Sequence, residues 1–298
     1  MMNVQDAQKR EILKVLIYFD YFNYPLTGEQ IFRFCSCKTS LSEVEIALND
    51  LLVQLKIFSL DKFYALRPIE DLINQRLAGE VRCEMLSDRI KKSAAMLSRF
   101  PFVKFVGLTG SISKGFASEN ADIDFFIVTE KNRLWICRSL LHLMKKLSFI
   151  KGSQHWYCMN YFVDETAMQI EEQNFFTAIE LTTLIPVVDE SNYYPLLMAE
   201  NDFWVKNNLP NAIISSDKPK ATNPFLWNKI IQWFSSDFLN KSLMQLTDWK
   251  WKKKWKARNY PMADYELAFK TRINISKNHL HNYQKKLLSH LDKLDAVK

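Results

Sequence analysis

Two aspartates, Asp122 and Asp124, stand one residue apart at the head of the apolar run Phe125–Val128. On a strand, residues two apart project from the same face, so both carboxylates point the same way. Carboxylates side by side repel, and desolvating them is costly unless cations compensate. Mg²⁺ takes oxygen ligands and leaves part of its shell to phosphate oxygens, which makes it the natural compensator. Ten residues before the pair lies Gly110-Ser111, which breaks the apolar, β-prone run Phe102–Thr109. A glycine-serine turn that opens a helix offers backbone N–H groups and a positive dipole end to an anion, and Lys114 and Gly115 extend that turn. The stretch Val106–Val128 therefore reads as strand, glycine turn, short helix and second strand.

Gly110-Ser111, ten residues, then Asp122-Ile123-Asp124 resembles the signature of the nucleotidyltransferase superfamily that includes DNA polymerase β. The spacing is similar to that of the small bacterial members, and the likeness runs from about Ser87 to Val163. The resemblance implies an α+β fold whose core is a small mixed sheet with flanking helices. It further implies that Asp122 and Asp124 hold two Mg²⁺ ions, and that Gly110, Ser111 and Lys114 hold the phosphates of a nucleoside triphosphate, ATP being the one expected. The implied reaction moves a nucleoside monophosphate to a hydroxyl acceptor, a small molecule, protein or RNA, and releases pyrophosphate.

Members with a third acid carry it on the next core strand, here His155–Val163. The polar residue inside that strand is Asn160, which can offer a carbonyl oxygen to a metal but cannot take up a proton. Asp164 and Glu165 follow at once. Three readings are open: Asp164 completes the catalytic set, two acids suffice, or the protein binds nucleotide without turnover and regulates through its N-terminal domain.

The composition sets bounds. A chain of 298 residues can bury a good core in two or three units. The net charge of +7 and pI near 9.0 favour acidic partners such as nucleotides, nucleic acid or an anionic metabolite. No apolar run approaches the ~18–20 residues of a membrane span, and the N-terminus lacks a signal-peptide pattern. Five scattered cysteines without a histidine cluster argue against zinc and for reduced thiols in a cytoplasmic protein.

The elements that must position the motif are legible on either side of it. Residues 1–68 read as a winged-helix-like domain: an apolar stripe over Gln8–Tyr24, helices opened by the capping boxes Thr27…Gln30 and Ser40…Glu43, and a hairpin turning at Asp61-Lys62. DNA binding is disfavoured, because the would-be recognition helix exposes Glu43, Glu45 and Asp50, which repel phosphates. Residues 69–100 form a linking helix with a break expected at Gly79, residues 101–190 the nucleotidyltransferase core, and residues 191–298 a C-terminal helical region reached through a polar linker at Ser215–Asn223. In that last region Trp249, Trp251 and Trp255 interleave with lysines, a pattern expected to dock its tryptophans and leave the lysines in water. Lys270, Arg272, Lys277 and His279 are candidates to fold over the cleft and meet phosphate.

Overall fold

The structure is a computed structural model that describes residues 4–214, 219, 225 and 228–296. Apart from Pro219, the expected linker at 215–223 lies outside the described residues. The N-terminal unit follows its local signals closely. Helix α1 (Val4–Asp20) is followed by β1 (Leu26–Thr27), α2 (Gly28–Phe34), α3 (Leu41–Val53), β2 (Phe58–Leu60) and β3 (Phe63–Ala65). Thr27 caps α2 and Ser40 caps α3, each in a reciprocal capping box with the residue three on. Asp61 takes a left-handed φ of 53°, which closes the β2–β3 turn, and β1 adds to make a three-stranded antiparallel sheet.

Helix α4 (Glu70–Ser98) runs unbroken through Gly79, contrary to the expected break. A Cβ at Gly79 would sit 2.3 Å from the Phe116 ring, and the Gly79 carbonyl accepts from Ala117 N–H. The glycine is there for close approach of the loop that follows the phosphate turn, not to end the helix.

The central sheet is built from β4 (Val103–Thr109), β5 (Asp124–Thr129), β6 (Cys158–Asp164) and β7 (Ile185–Asp189), with helices α5 (Gly110–Ser113), α6 (Leu134–Ser148) and α7 (Phe175–Thr182) between them and α8 (Tyr193–Asn208) after β7. Beyond lie α9 (Asn228–Phe234), α10 (Asp237–Ala257), α11 (Tyr265–Ala268), β8 (Phe269–Arg272), β9 (Ile275–Asn278) and α12 (Tyr283–Ala296). The strand order is β7-β4-β5-β6-β9-β8, with β5 and β6 parallel and the other neighbours antiparallel. This is the mixed sheet with flanking helices that the motif implied. Strand β7, absent from the sequence reading, carries Pro186, which an edge strand tolerates because one side makes no ladder bonds.

Alternation along the strands gives each face its own core. Phe105, Phe126, Val128 and Val163 pack with α1–α3, α7, α8 and α12, whereas Val106, Phe125, Ile127 and Phe162 pack with α4, α6 and α10. The first core is continuous from the N-terminal unit into the sheet, so α1 packs on the central sheet's core as well as forming the spine of its own unit.

Residues 191–298 are not helical throughout, which corrects the expectation for that region. The β8–β9 hairpin extends the sheet, with Ile275 opposite Val163 and Lys277 opposite Tyr161. Its buried cations hid it from periodicity: Lys270 bridges Glu171 and Glu172 at 2.6 Å each, and Lys277 reaches Glu172 at 3.1 Å. Arg272 also pairs with Glu171. In α10, Trp255 is buried and stacks on Phe269 at 5.1 Å, so the docking expected for the tryptophans holds for Trp255, while Trp249 is exposed. Among the described residues no helix is long and apolar enough to cross a membrane.

Candidate active site

Strand β4 ends in the turn that begins α5, and antiparallel pairing sets Thr109 opposite Asp124. The Gly110 turn and the Asp124 carboxylate are thereby pressed together. Gly110 has φ +75°, and a Cβ on it would lie 2.7 Å from Asp124 Oδ2. Only glycine satisfies both the left-handed backbone and the approach of the carboxylate. Gly110→Ala is therefore expected to lose about 1–3 kcal/mol of stability and to displace Asp124, with nucleotide affinity falling at least tenfold. Thermal unfolding and nucleotide titration of the variant check both numbers.

Asp122, Asp124, Gly110, Ser111, Lys114 and Asn160 all line one cleft of about 730 Å³. Asp122 is half-exposed and its Oδ1 lies 2.6 Å from His155 Nδ1. Asp124 is far more enclosed, and burial pushes its carboxyl up to about 6, with the charges of Asp122 and Glu180 adding to the rise. Asn160 Nδ2 donates to Asp124 Oδ1 at 3.0 Å, so it meets the carboxylate as a hydrogen-bond donor. Cys158, a further cleft residue, keeps its proton because burial and the neighbouring Asp124 push its thiol up to about 12.

Lys114 is placed at the turn but is not free. Its Nζ bonds Glu180 Oε1 at 2.8 Å and the Gly110 carbonyl at 3.1 Å. Glu180 in turn accepts from Tyr18 OH at 3.1 Å, and Tyr24 OH donates to the Lys114 carbonyl at 2.8 Å. Two tyrosines of the N-terminal unit thus hold the Gly110 turn and its lysine.

Asp164 is not brought to this site, which corrects the expectation that it completes the catalytic set. Because β5 and β6 run parallel, Asp124 lies opposite Cys158 while Asp164 lies opposite Thr129, at the far end of the strand. Six residues at about 3.3 Å each separate the two ends by roughly 20 Å. The Asp164 carboxylate is buried in a turn, accepting from Thr166 N–H at 2.9 Å, Thr166 Oγ1 at 2.6 Å and Asn132 N–H at 3.2 Å. The cleft's further carboxylate is Glu180, from α7. No local signal marks Glu180 or His155; both arrive through tertiary packing. Of the four C-terminal candidates, Lys277 and His279 line the cleft, Lys277 already paired with Glu172, whereas Lys270 and Arg272 are engaged by Glu171. His279 is buried edge-on to Tyr161, and burial lowers its imidazole to about 3, so it is neutral there.

A metal fits the chemistry of this donor set. Asp124 is an enclosed carboxylate that ionises only against a penalty, Asp122 projects beside it, and both offer the hard oxygen atoms that Mg²⁺ prefers. Among the described residues no three acidic, histidine or cysteine side chains converge on a ready metal cage, so two carboxylates plus substrate oxygens are the donors at hand.

A family model described as the nucleotidyltransferase domain matches residues 89–182, which span the phosphate turn, both aspartates, Asn160 and Glu180. No curated protein and no solved structure matches the chain. Through these residues, the chain carries a nucleotidyltransferase domain.

Proposed function

We propose that the protein moves a nucleoside monophosphate from a nucleoside triphosphate, with ATP the expected donor, to a hydroxyl acceptor. The observation that carries this reading is the contact of the Gly110 turn with Asp124, which sets a left-handed glycine turn directly against an enclosed carboxylate that ionises only at a cost. Asp122 and Asp124 would hold Mg²⁺, which when bound neutralises phosphate charge and makes the acceptor hydroxyl more acidic. Gly110 and Ser111 receive the triphosphate, and Asn160 keeps Asp124 oriented through its N–H.

Lys114 and Glu180 divide the remaining work. The triphosphate draws Lys114 from its ion pair, which frees Glu180 to take the proton of the attacking hydroxyl. The acceptor oxygen bonds to the α-phosphorus, the α–β bridging P–O bond breaks, and pyrophosphate leaves with its charge met by Lys114. Glu180 thereby takes the role first expected of Asp164.

A second reading has one specific observation in its favour: the side chain from β6 that hydrogen-bonds Asp124 is Asn160, which cannot accept a proton. In that reading the protein binds nucleotide without turnover, and the tyrosine contacts of Tyr18 and Tyr24 report occupancy to the winged-helix-like N-terminal unit. Calorimetric titration of the four triphosphates with Mg²⁺, on wild type and on Asp122→Asn/Asp124→Asn, tests the site. Binding that needs both metal and aspartates is expected, and binding of no triphosphate would overturn it. Pyrophosphate release then separates turnover from sensing.

A further inference from the structure

The cleft carries a second chemistry besides the aspartates. Lys254 and Arg258, from the C-terminal end of α10, line the same cleft as Asp122 and Asp124. Both are exposed, and neither has a carboxylate partner among the described residues, unlike their neighbour Lys252, which pairs with Asp248 at 2.8 Å. Instead they flank one buried indole: Lys254 Nζ is 4.6 Å and the Arg258 guanidinium 5.5 Å from the Trp255 ring. That indole is fixed by its stacking on Phe269, so the two cations stand on a rigid base.

Lys250 lies one turn earlier, is exposed, and continues the same row out of the cleft. Residues four apart on a helix form a ridge with a rise of about 6 Å per step. That step is close to the spacing of successive phosphates along an extended single strand. The cleft that holds Lys254 and Arg258 is also aromatic: Tyr283, Phe22, Phe176 and Tyr161 line it, with Tyr283 and Phe22 edge to face at 5.7 Å. Cations without carboxylate partners at even spacing, in one cleft with aromatic rings, are the recognition elements for a single-stranded polynucleotide.

We propose that the acceptor is the 3′ end of a single-stranded RNA, its backbone led along Lys250, Lys254 and Arg258 so that the terminal hydroxyl reaches the aspartates. This rests on the nucleotidyltransferase reading for the chemistry, while the ridge itself is a binding surface independent of turnover. A small anionic acceptor would need only Lys254 and Arg258; the row's extension through Lys250 beyond the cleft is what points to a polymer.

The test is fluorescence anisotropy of the full chain with a labelled single-stranded RNA, without nucleotide, over a series of KCl concentrations. Wild type, Lys250→Ala/Lys254→Ala/Arg258→Ala and the conservative Lys250→Arg/Lys254→Arg are compared. Loss of three phosphate contacts is expected to flatten the slope of log affinity against log salt by about 2, while the arginine variant keeps the wild-type slope. No RNA binding by wild type, or an unchanged slope in the alanine variant, overturns the proposal. So does loss in that variant of sedimentation with phosphatidylglycerol vesicles while RNA binding stays intact, which would assign the ridge to a membrane surface. RNA binding without nucleotide incorporation would refute the transfer reading and leave the ridge standing, whereas incorporation into a small molecule without RNA binding would refute the ridge alone.

Discussion

Asp124→Asn is expected to yield a protein about a thousand-fold less active yet more stable than wild type in the absence of metal. The loss follows from removing one of the two charged oxygen donors, since electrostatic stabilisation of several kcal/mol corresponds to roughly a thousand-fold in rate. The gain follows from linkage. Burial raises the Asp124 carboxyl from its ordinary 3.8 to about 6 in the folded protein. Between about pH 4 and 6 the folded state therefore holds a proton that the unfolded state has released, and stability falls as pH rises through that window. Above it the full penalty is present, about 3 kcal/mol at most for a shift of this size. Asparagine carries no such penalty. The difference in unfolding free energy between variant and wild type should be near zero at pH 4 and grow to about 1–3 kcal/mol in favour of the variant at pH 7. Addition of Mg²⁺ should raise the wild-type melting temperature and leave that of the variant unmoved. Denaturant unfolding at several pH values, with and without the metal, reads all three statements, and a variant less stable than wild type at pH 7 would refute them.

Trp135→Ala is the second large effect, about 3–5 kcal/mol of stability, because the indole is fully buried where α6, α10 and the β8–β9 hairpin meet. Its Nε1 donates to the Arg272 carbonyl at 2.8 Å, its own backbone N–H is held by Asn240 Oδ1 at 2.8 Å, and the Arg138 guanidinium lies 5.5 Å from the ring. Arg138 is itself enclosed, and burial lowers it to about 9, so a cavity beside it would be filled by water. Trp135→Phe keeps much of the bulk but leaves the Arg272 carbonyl unpaired, for a smaller loss of about 1–3 kcal/mol. Because the hairpin forms one wall of the cleft, hydrogen exchange should quicken across 269–278 in both variants, more in alanine. Unchanged protection there would mean that Trp135 does not anchor the hairpin.

The phosphate turn, the paired aspartates and the N-terminal helices were all legible because each is written within a few residues of itself. Thr27 with Gln30 and Ser40 with Glu43 cap their helices by reciprocal bonds that span three residues. Gly110 and Asp124 come together through one antiparallel pair joined by a short connection, so their spacing was enough to place them. The basic tryptophan helix was legible as a docking element for the same reason, its face following from helical period alone.

Asp164 shows where local signals end. It looks adjacent to the site in sequence, but the parallel register of β5 and β6 puts six residues of strand between it and Asp124. The further acidic group that lines the cleft, Glu180, sits on α7 with nothing in its neighbours to mark it, and it is tied to Lys114 and Tyr18 across gaps of 66 and 162 residues. The hairpin Phe269–Asn278 was concealed because Lys270 and Lys277 are buried by pairing with Glu171 and Glu172, a compensation that no period in the chain displays. Short-range chemistry in the sequence determined that this protein sets a left-handed glycine turn and two carboxylates in one cleft. Tertiary pairing alone decided which other side chains share that cleft, because charge compensation and strand register depend on residues far apart in the chain.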